Sequence, residues 1–152
     1  MSLHHATVEW AWDGGDFPKR RYSRLHTLDF GHGVTAPGSP ATAIVPAPFS
    51  SEAAIDPESA FVASLSACHM LWFLDLAAGA GWVVKRYRDE AEGTLGRIAP
   101  GKMAMTRVAL RPQIAFEGRA PDAAELERLH HEAHARCFIA NSVTTEVVVE
   151  PA

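Results

Sequence analysis

The chain has 152 residues, 47 % of them hydrophobic and 21 % charged, with a formal net charge of −4. That composition is ordinary for a globular chain and suits one folded domain over residues 1–152. An acidic balance without clustered Lys and Arg excludes nucleic acid as the main partner, because neutralising phosphates needs such clusters. Residues 6–12 alternate, with Val8, Trp10 and Trp12 on one face and Thr7, Glu9 and Ala11 on the other, so the spacing predicts a strand. Asp13-Gly14-Gly15-Asp16 reads as a turn and residues 21–30 as a second strand, together a hairpin. The short basic run Lys19-Arg20-Arg21-Tyr22-Ser23-Arg24 reads as a solvated strand edge. Residues 31–55 are rich in Gly, Pro, Ser and Ala and predict a long loop, a flap or an arm, with one short strand at residues 43–45.

Asp56-Pro57-Glu58 marks a helix start: a capping carboxylate, a proline at the first helical position and an acid at the positive end of the dipole. The helix should reach Ala78, with Gly79 and Gly81 as its stop. It is apolar almost all round, which predicts a central position. Its apolar stretch, residues 61–80, approaches the length of a membrane span. Ser64, Ser66, His69 and Asp75 interrupt that stretch, so burial between sheets is expected and no membrane. Residues 84–95 and 103–116 predict two further strands around a turn at 96–102. In the second, Pro112 predicts an edge or a bulge. Pro121-Asp122 starts a second helix running to Arg136, with Leu126 and Leu129 inward, and residues 144–150 predict a closing strand. The order ββ(β)–α–ββ–α–β is α+β. Residues 1–5 lack the pattern of a secretory leader, so a cytoplasmic chain is expected.

Cys68 and Cys137 are the only cysteines. In a reducing compartment a lone pair of this kind is more often redox or metal chemistry than a structural bridge. Cys68 lies mid-helix, away from the helix N-terminus, and burial alone would make it inert. It becomes a nucleophile only if the fold brings a cation, and an Arg held by a carboxylate would serve. Glu58 is the carboxylate candidate, ten residues upstream, about 15 Å along one straight helix. The two cannot meet comfortably within one chain, so if Glu58 serves Cys68, either the helix bends sharply or Glu58 comes from a second subunit. Cys137 follows a helix end among small and polar residues and suits a resolving thiol. Two inert, unconnected cysteines are the alternative. A third reading is zinc held by His130, His134 and Cys137 of H-H-x-x-H-x-x-C, with Cys68 as a fourth ligand. His69 points about 100° away from Cys68 and reads as a core histidine with a backbone partner.

The segment Asp56-Pro57-Glu58-Ser59-Ala60-Phe61-Val62-Ala63-Ser64-Leu65-Ser66-Ala67-Cys68-His69-Met70 resembles the central helix of the OsmC/Ohr family of thiol peroxidases. Arg136-Cys137-Phe138-Ile139-Ala140-Asn141-Ser142-Val143 resembles the segment carrying that family's second cysteine. His69 after the first cysteine and Phe138 after the second, where the best-known members have an apolar residue and a proline, set this Cys-His-Met branch apart. The resemblance implies an OsmC-like intertwined dimer, with antiparallel sheets wrapped around long central helices. It implies reduction of organic hydroperoxides, with hydrogen peroxide as a further candidate, and regeneration by an external dithiol reductant. No cofactor or metal is implied. By position Cys68 would be the peroxidatic thiolate, Cys137 the resolving thiol, Glu58 the orienting carboxylate and Arg24 the arginine, with Arg20 and Arg21 as rivals. The alternative is a non-enzymatic homodimer of the same fold binding a small apolar ligand, with Cys68 a core residue.

Overall fold

The computed structural model describes residues 1–150 and divides into two compact units, Met1–Ala60 and the remainder from Phe61 onward. In the first unit β1 (Thr7–Glu9), β2 (His26–Asp29) and β3 (Thr35–Gly38) form an antiparallel sheet in the order β1-β2-β3. The hairpin register runs from Thr7 opposite Asp29 to Glu9 opposite Thr27. Both strands are shorter than the alternation predicts. Trp10 and Trp12 leave the ladder, and their indole N–H groups donate to the carbonyls of Ser23 (2.9 Å) and Gly15 (3.0 Å).

The third strand lies at Thr35–Gly38, not at residues 43–45. Ile44 and Val45 instead donate their N–H groups to the Ala41 carbonyl, closing a turn. Pro37 is tolerated in β3 because β3 is an edge strand, where a missing N–H leaves no partner stranded. Gly38 is required there: a Cβ would fall 2.2 Å from the His26 ring. The segment 39–55 is tied down. Ser39 donates its N–H to the Ile55 carbonyl, Ile55 returns one to Pro37, and the Ser39 hydroxyl accepts from Ser51 N–H at 2.9 Å. A loose flap is therefore not what forms.

Helix α1 (Pro57–Gly79) starts where its capping signals place it, with the Asp56 carboxylate accepting from Ser59 N–H at 2.8 Å. Its buried residues are Leu65, His69, Phe73 and Ala77, one stripe at a spacing of four. The rest of this apolar helix is not buried by its own chain, and Leu71 is 62 % exposed. By length and composition α1 would suffice to cross a membrane. The buried stripe joins two packed clusters. Phe73 and Ala77 meet Leu129 and Ala133, with Trp82, Tyr87, Ile114 and Phe116 around them. Leu65 meets Val108 and Leu110, with Ile139, Val147 and Val149 around them.

Each of the two strands expected after α1 is broken in two. β4 (Val84–Asp89) pairs with β7 (Pro112–Phe116), while β5 (Glu92–Ala99) pairs with β6 (Lys102–Leu110). The break has an electrostatic cause. The Asp89 carboxylate accepts from Arg111 N–H at 2.6 Å and from the Ser66 hydroxyl at 2.5 Å. Arg111 thus spends its N–H on a side chain, and Pro112 has none to give. Helix α2 (Ala123–Arg136) then crosses over to β8 (Glu146–Val149), which runs parallel to β6. This parallel pair is the exception to the expected antiparallel sheets, and it requires a crossover connection. Asp122 caps α2, its carboxylate accepting from Glu125 N–H at 2.8 Å. Asp122→Ala is expected to cost about 1 kcal/mol, measured by urea unfolding; an unchanged midpoint would show that the cap carries no stability.

Candidate active site

Cys68 sits on α1 and Cys137 is the C-cap of α2, where the backbone turns to an extended ψ of 110°. The chain after Cys137 coils into a short 3-10 turn, Ala140–Ser142, which points Ala140 N–H at the Cys137 sulfur (3.4 Å). Both cysteines are free thiols. They are neighbours: the Cys68 side chain is close enough to act on the Cys137 thiol. Cys137 is 1 % exposed, whereas Cys68 is half-buried. Burial first, and then the Cys68 sulfur beside it, push the Cys137 thiol up to about 11. Cys137 therefore stays protonated at neutral pH.

Cys68 opens into a cavity of about 580 Å³ walled by Leu71, Trp72, Phe138 and Ile139, with Ser64 and Asp75 as its polar members. Trp72 and Phe138 stand edge to face, centroids 5.4 Å apart, and Arg136 lies 5.9 Å from the Trp72 ring. Neither aromatic is among the site residues expected from the sequence. The adjacency of Phe138 to Cys137 was the available signal for one. Trp72 carried a weaker signal, one helical turn after Cys68 on the same face.

Glu58 and Arg24 belong to the first unit. α1 is unbroken from Pro57 to Gly79, so Glu58 and Cys68 remain about 15 Å apart along it. The Glu58 Oε2 atom is buried without a hydrogen-bond partner. Arg24 is half-buried; its guanidinium donates to the Tyr22 and Arg20 carbonyls, both at 3.2 Å, and lies 4.2 Å from the Tyr22 ring centroid. Among the described residues Arg24 and Glu58 form no ion pair. Arg20 and Arg21 are exposed, Arg20 in a turn with φ of 60°.

The histidines depart from expectation. His69 has no backbone partner; its Nε2 shares a hydrogen bond of 3.0 Å with His130 Nδ1. The rings stack with centroids 5.4 Å apart, and both residues are buried, at 1 % and 4 % exposure. His130 is thus an interior group. Burial, with His130 and His134 adding to it, lowers His69 to about 4; burial lowers His130 to about 4 against the opposing Asp89 carboxylate. Among the described residues no group of three or more His, Cys, Asp or Glu is arranged to hold a metal ion. The zinc set is not assembled, since His130 turns to His69.

Residues 50–152 match the family described as OsmC-like protein. No curated protein matches the chain. An OsmC-like protein of unknown function from Vibrio cholerae is 49 % identical, with each chain covered completely and a TM-score of 0.96. An organic hydroperoxide resistance protein from Elizabethkingia anophelis is 18 % identical, 99 % of each chain being covered, with a TM-score of 0.70. An organic hydroperoxide resistance protein OsmC from Legionella pneumophila is also 18 % identical, covering 99 % of this chain and 97 % of its own, with a TM-score of 0.67. At that identity the last two likenesses are of fold.

Proposed function

Because the chain belongs to the OsmC-like protein family, we propose that it is a thiol peroxidase that reduces organic hydroperoxides. The observation that carries this reading is that Cys68 and Cys137 are neighbours, with Cys68 on the wall of an apolar cavity. The Cys68 thiolate attacks the terminal peroxide oxygen; the O–O bond breaks and the alkoxide takes a proton to leave as the alcohol, with Cys68 as the sulfenic acid. The Cys137 sulfur then displaces water from that sulfenic acid, forming the disulfide. An external dithiol reduces it and restores both thiols, a cycle suited to the reducing cytoplasm.

A homodimer completes the site in this reading. Arg24 of the second copy steadies the thiolate and the departing alkoxide, and Glu58 orients that arginine. Three features support this. Glu58 carries a buried oxygen with no partner, α1 spacing keeps it from Cys68 of its own helix, and α1 leaves apolar surface uncovered. The test is to mix reduced protein with cumene hydroperoxide and follow peroxide and free thiols. One peroxide consumed and two thiols lost per chain is the expected result; unchanged peroxide with both thiols still titrating refutes the proposal.

The Trp72–Phe138 wall suits a bulky organic group better than hydrogen peroxide. Phe138→Ala is expected to raise the KM for cumene hydroperoxide about 5-fold, equivalent to about 1 kcal/mol of aromatic contact. Its KM for hydrogen peroxide should not move. Equal effects on both substrates would show that Phe138 does not contact the organic group.

A further inference from the structure

α1 and α2 pack through apolar side chains, Phe73 and Ala77 against Leu129 and Ala133. Contacts of that kind have no preferred direction, so they tolerate sliding. The His69–His130 bond does not. Among the described residues it is the one side-chain hydrogen bond between the two helices, at 3.0 Å, and Phe73 stacks on the His130 ring with centroids 4.5 Å apart. A hydrogen bond fixes distance and direction together.

Stability does not account for this bond. His69 Nδ1 and His130 Nε2 are both buried without a partner, so whichever ring donates, one N–H of the pair is stranded. Two apolar side chains of similar bulk would strand nothing, and replacing both partners of a buried polar pair is often neutral or stabilising. What an apolar pair would lack is the directional tie.

That tie lies beside the sulfurs. His69 follows Cys68 on α1, and Cys137 caps α2 two turns beyond His130 on the same face. A disulfide needs its Cβ atoms about 3.5–4.5 Å apart. Sliding one helix by a single residue's rise moves a sulfur about 1.5 Å, enough to leave that range.

We propose that His69 and His130 are positioning residues, whose bond sets the register of α2 on α1 so that Cys137 stands where Cys68 can bridge to it. The attack on peroxide does not need the tie; closure of the disulfide does. The part played in turnover rests on the peroxidase reading, whereas the part played in closing the disulfide stands without it.

His69→Leu/His130→Leu removes both partners and strands neither. With limiting cumene hydroperoxide this variant should consume peroxide at the wild-type rate while its disulfide closes about 10²-fold more slowly, the scale of a 1 Å misplacement. Dimedone should then trap a Cys68 sulfenic acid although Cys137 is present. His69→Gln/His130→Asn places amide atoms where Nε2 and Nδ1 stood and should restore closure. A second arm uses glutathione disulfide and no peroxide. Cys68 takes one glutathione, Cys137 displaces it, two glutathione thiols are released, and intact mass reads the closed fraction. The leucine pair should again close about 10²-fold less well than wild type. Loss in this arm, with wild-type protein inert to peroxide, refutes the peroxidase reading and leaves the positioning role standing. Wild-type closure in the leucine pair overturns the proposal, as does equal slowing of the peroxide and disulfide steps. So does a Gln/Asn pair that folds and closes as slowly as the leucine pair. If the leucine pair fails to fold, His69→Phe/His130→Phe keeps two rings without the bond and takes its place, with the same results expected.

Discussion

Cys68→Ser is expected to lower peroxide consumption by about 10³-fold or more, the scale on which loss of a nucleophile acts. The reason lies in how the two sulfurs are placed. Cys137 is 1 % exposed and held protonated, with its thiol up at about 11. It cannot take over the attack when Cys68 is gone, because the thiol form is a poor nucleophile. Cys137→Ser should behave differently. Without added reductant it consumes one peroxide per chain, loses one thiol and stops at the Cys68 sulfenic acid, which dimedone traps. Wild-type protein loses two thiols and gives no dimedone adduct, because the neighbouring thiol reaches the sulfenate first. The checks are thiol titration and intact mass under limiting cumene hydroperoxide. A Cys68→Ser protein that still consumes peroxide would move the chemistry to another residue.

The second large effect is on stability against pH. His69 and His130 bind protons in the folded chain only near pH 4, against an ordinary value of 6.5. Between those values the unfolded chain binds more protons than the folded one. Their contribution is therefore fully present above pH 6.5 and is lost as pH falls toward 4. One histidine shifted this far accounts for about 3 kcal/mol. The pair contributes less than twice that, because the rings share a hydrogen bond and do not titrate independently. Urea unfolding at pH 7 and at pH 4.5 tests this in wild type and in the double variant His69→Leu/His130→Leu. The variant's loss between the two pH values should be smaller by about 3 kcal/mol. Equal losses would mean that the pair is not buried as a neutral unit.

The helix starts were legible because their causes are local. Asp56 and Asp122 each cap through an N–H three residues ahead, and that spacing is visible in the chain. The strand breaks were not legible. Their cause is Asp89, whose carboxylate reaches Arg111 and Ser66, each more than twenty positions away. The edge strand Thr35–Gly38 was missed for a related reason: Pro37 reads as a breaker until the sheet order makes β3 an edge.

The residue pattern by itself determined the α+β class, the two helices with their caps, and the identity of the cysteine pair. It also determined that Glu58 and Cys68 cannot meet on one straight helix, because helical rise is a property of the backbone alone. Only the tertiary structure decided that the two thiols are neighbours, that Cys137 is the one kept protonated, and that His69 is bonded to His130. Those facts arise from contacts between α1 and the helix and turn that follow it by some sixty positions. Burial, which sets both the thiol and the imidazole protonation, exists only once those elements pack.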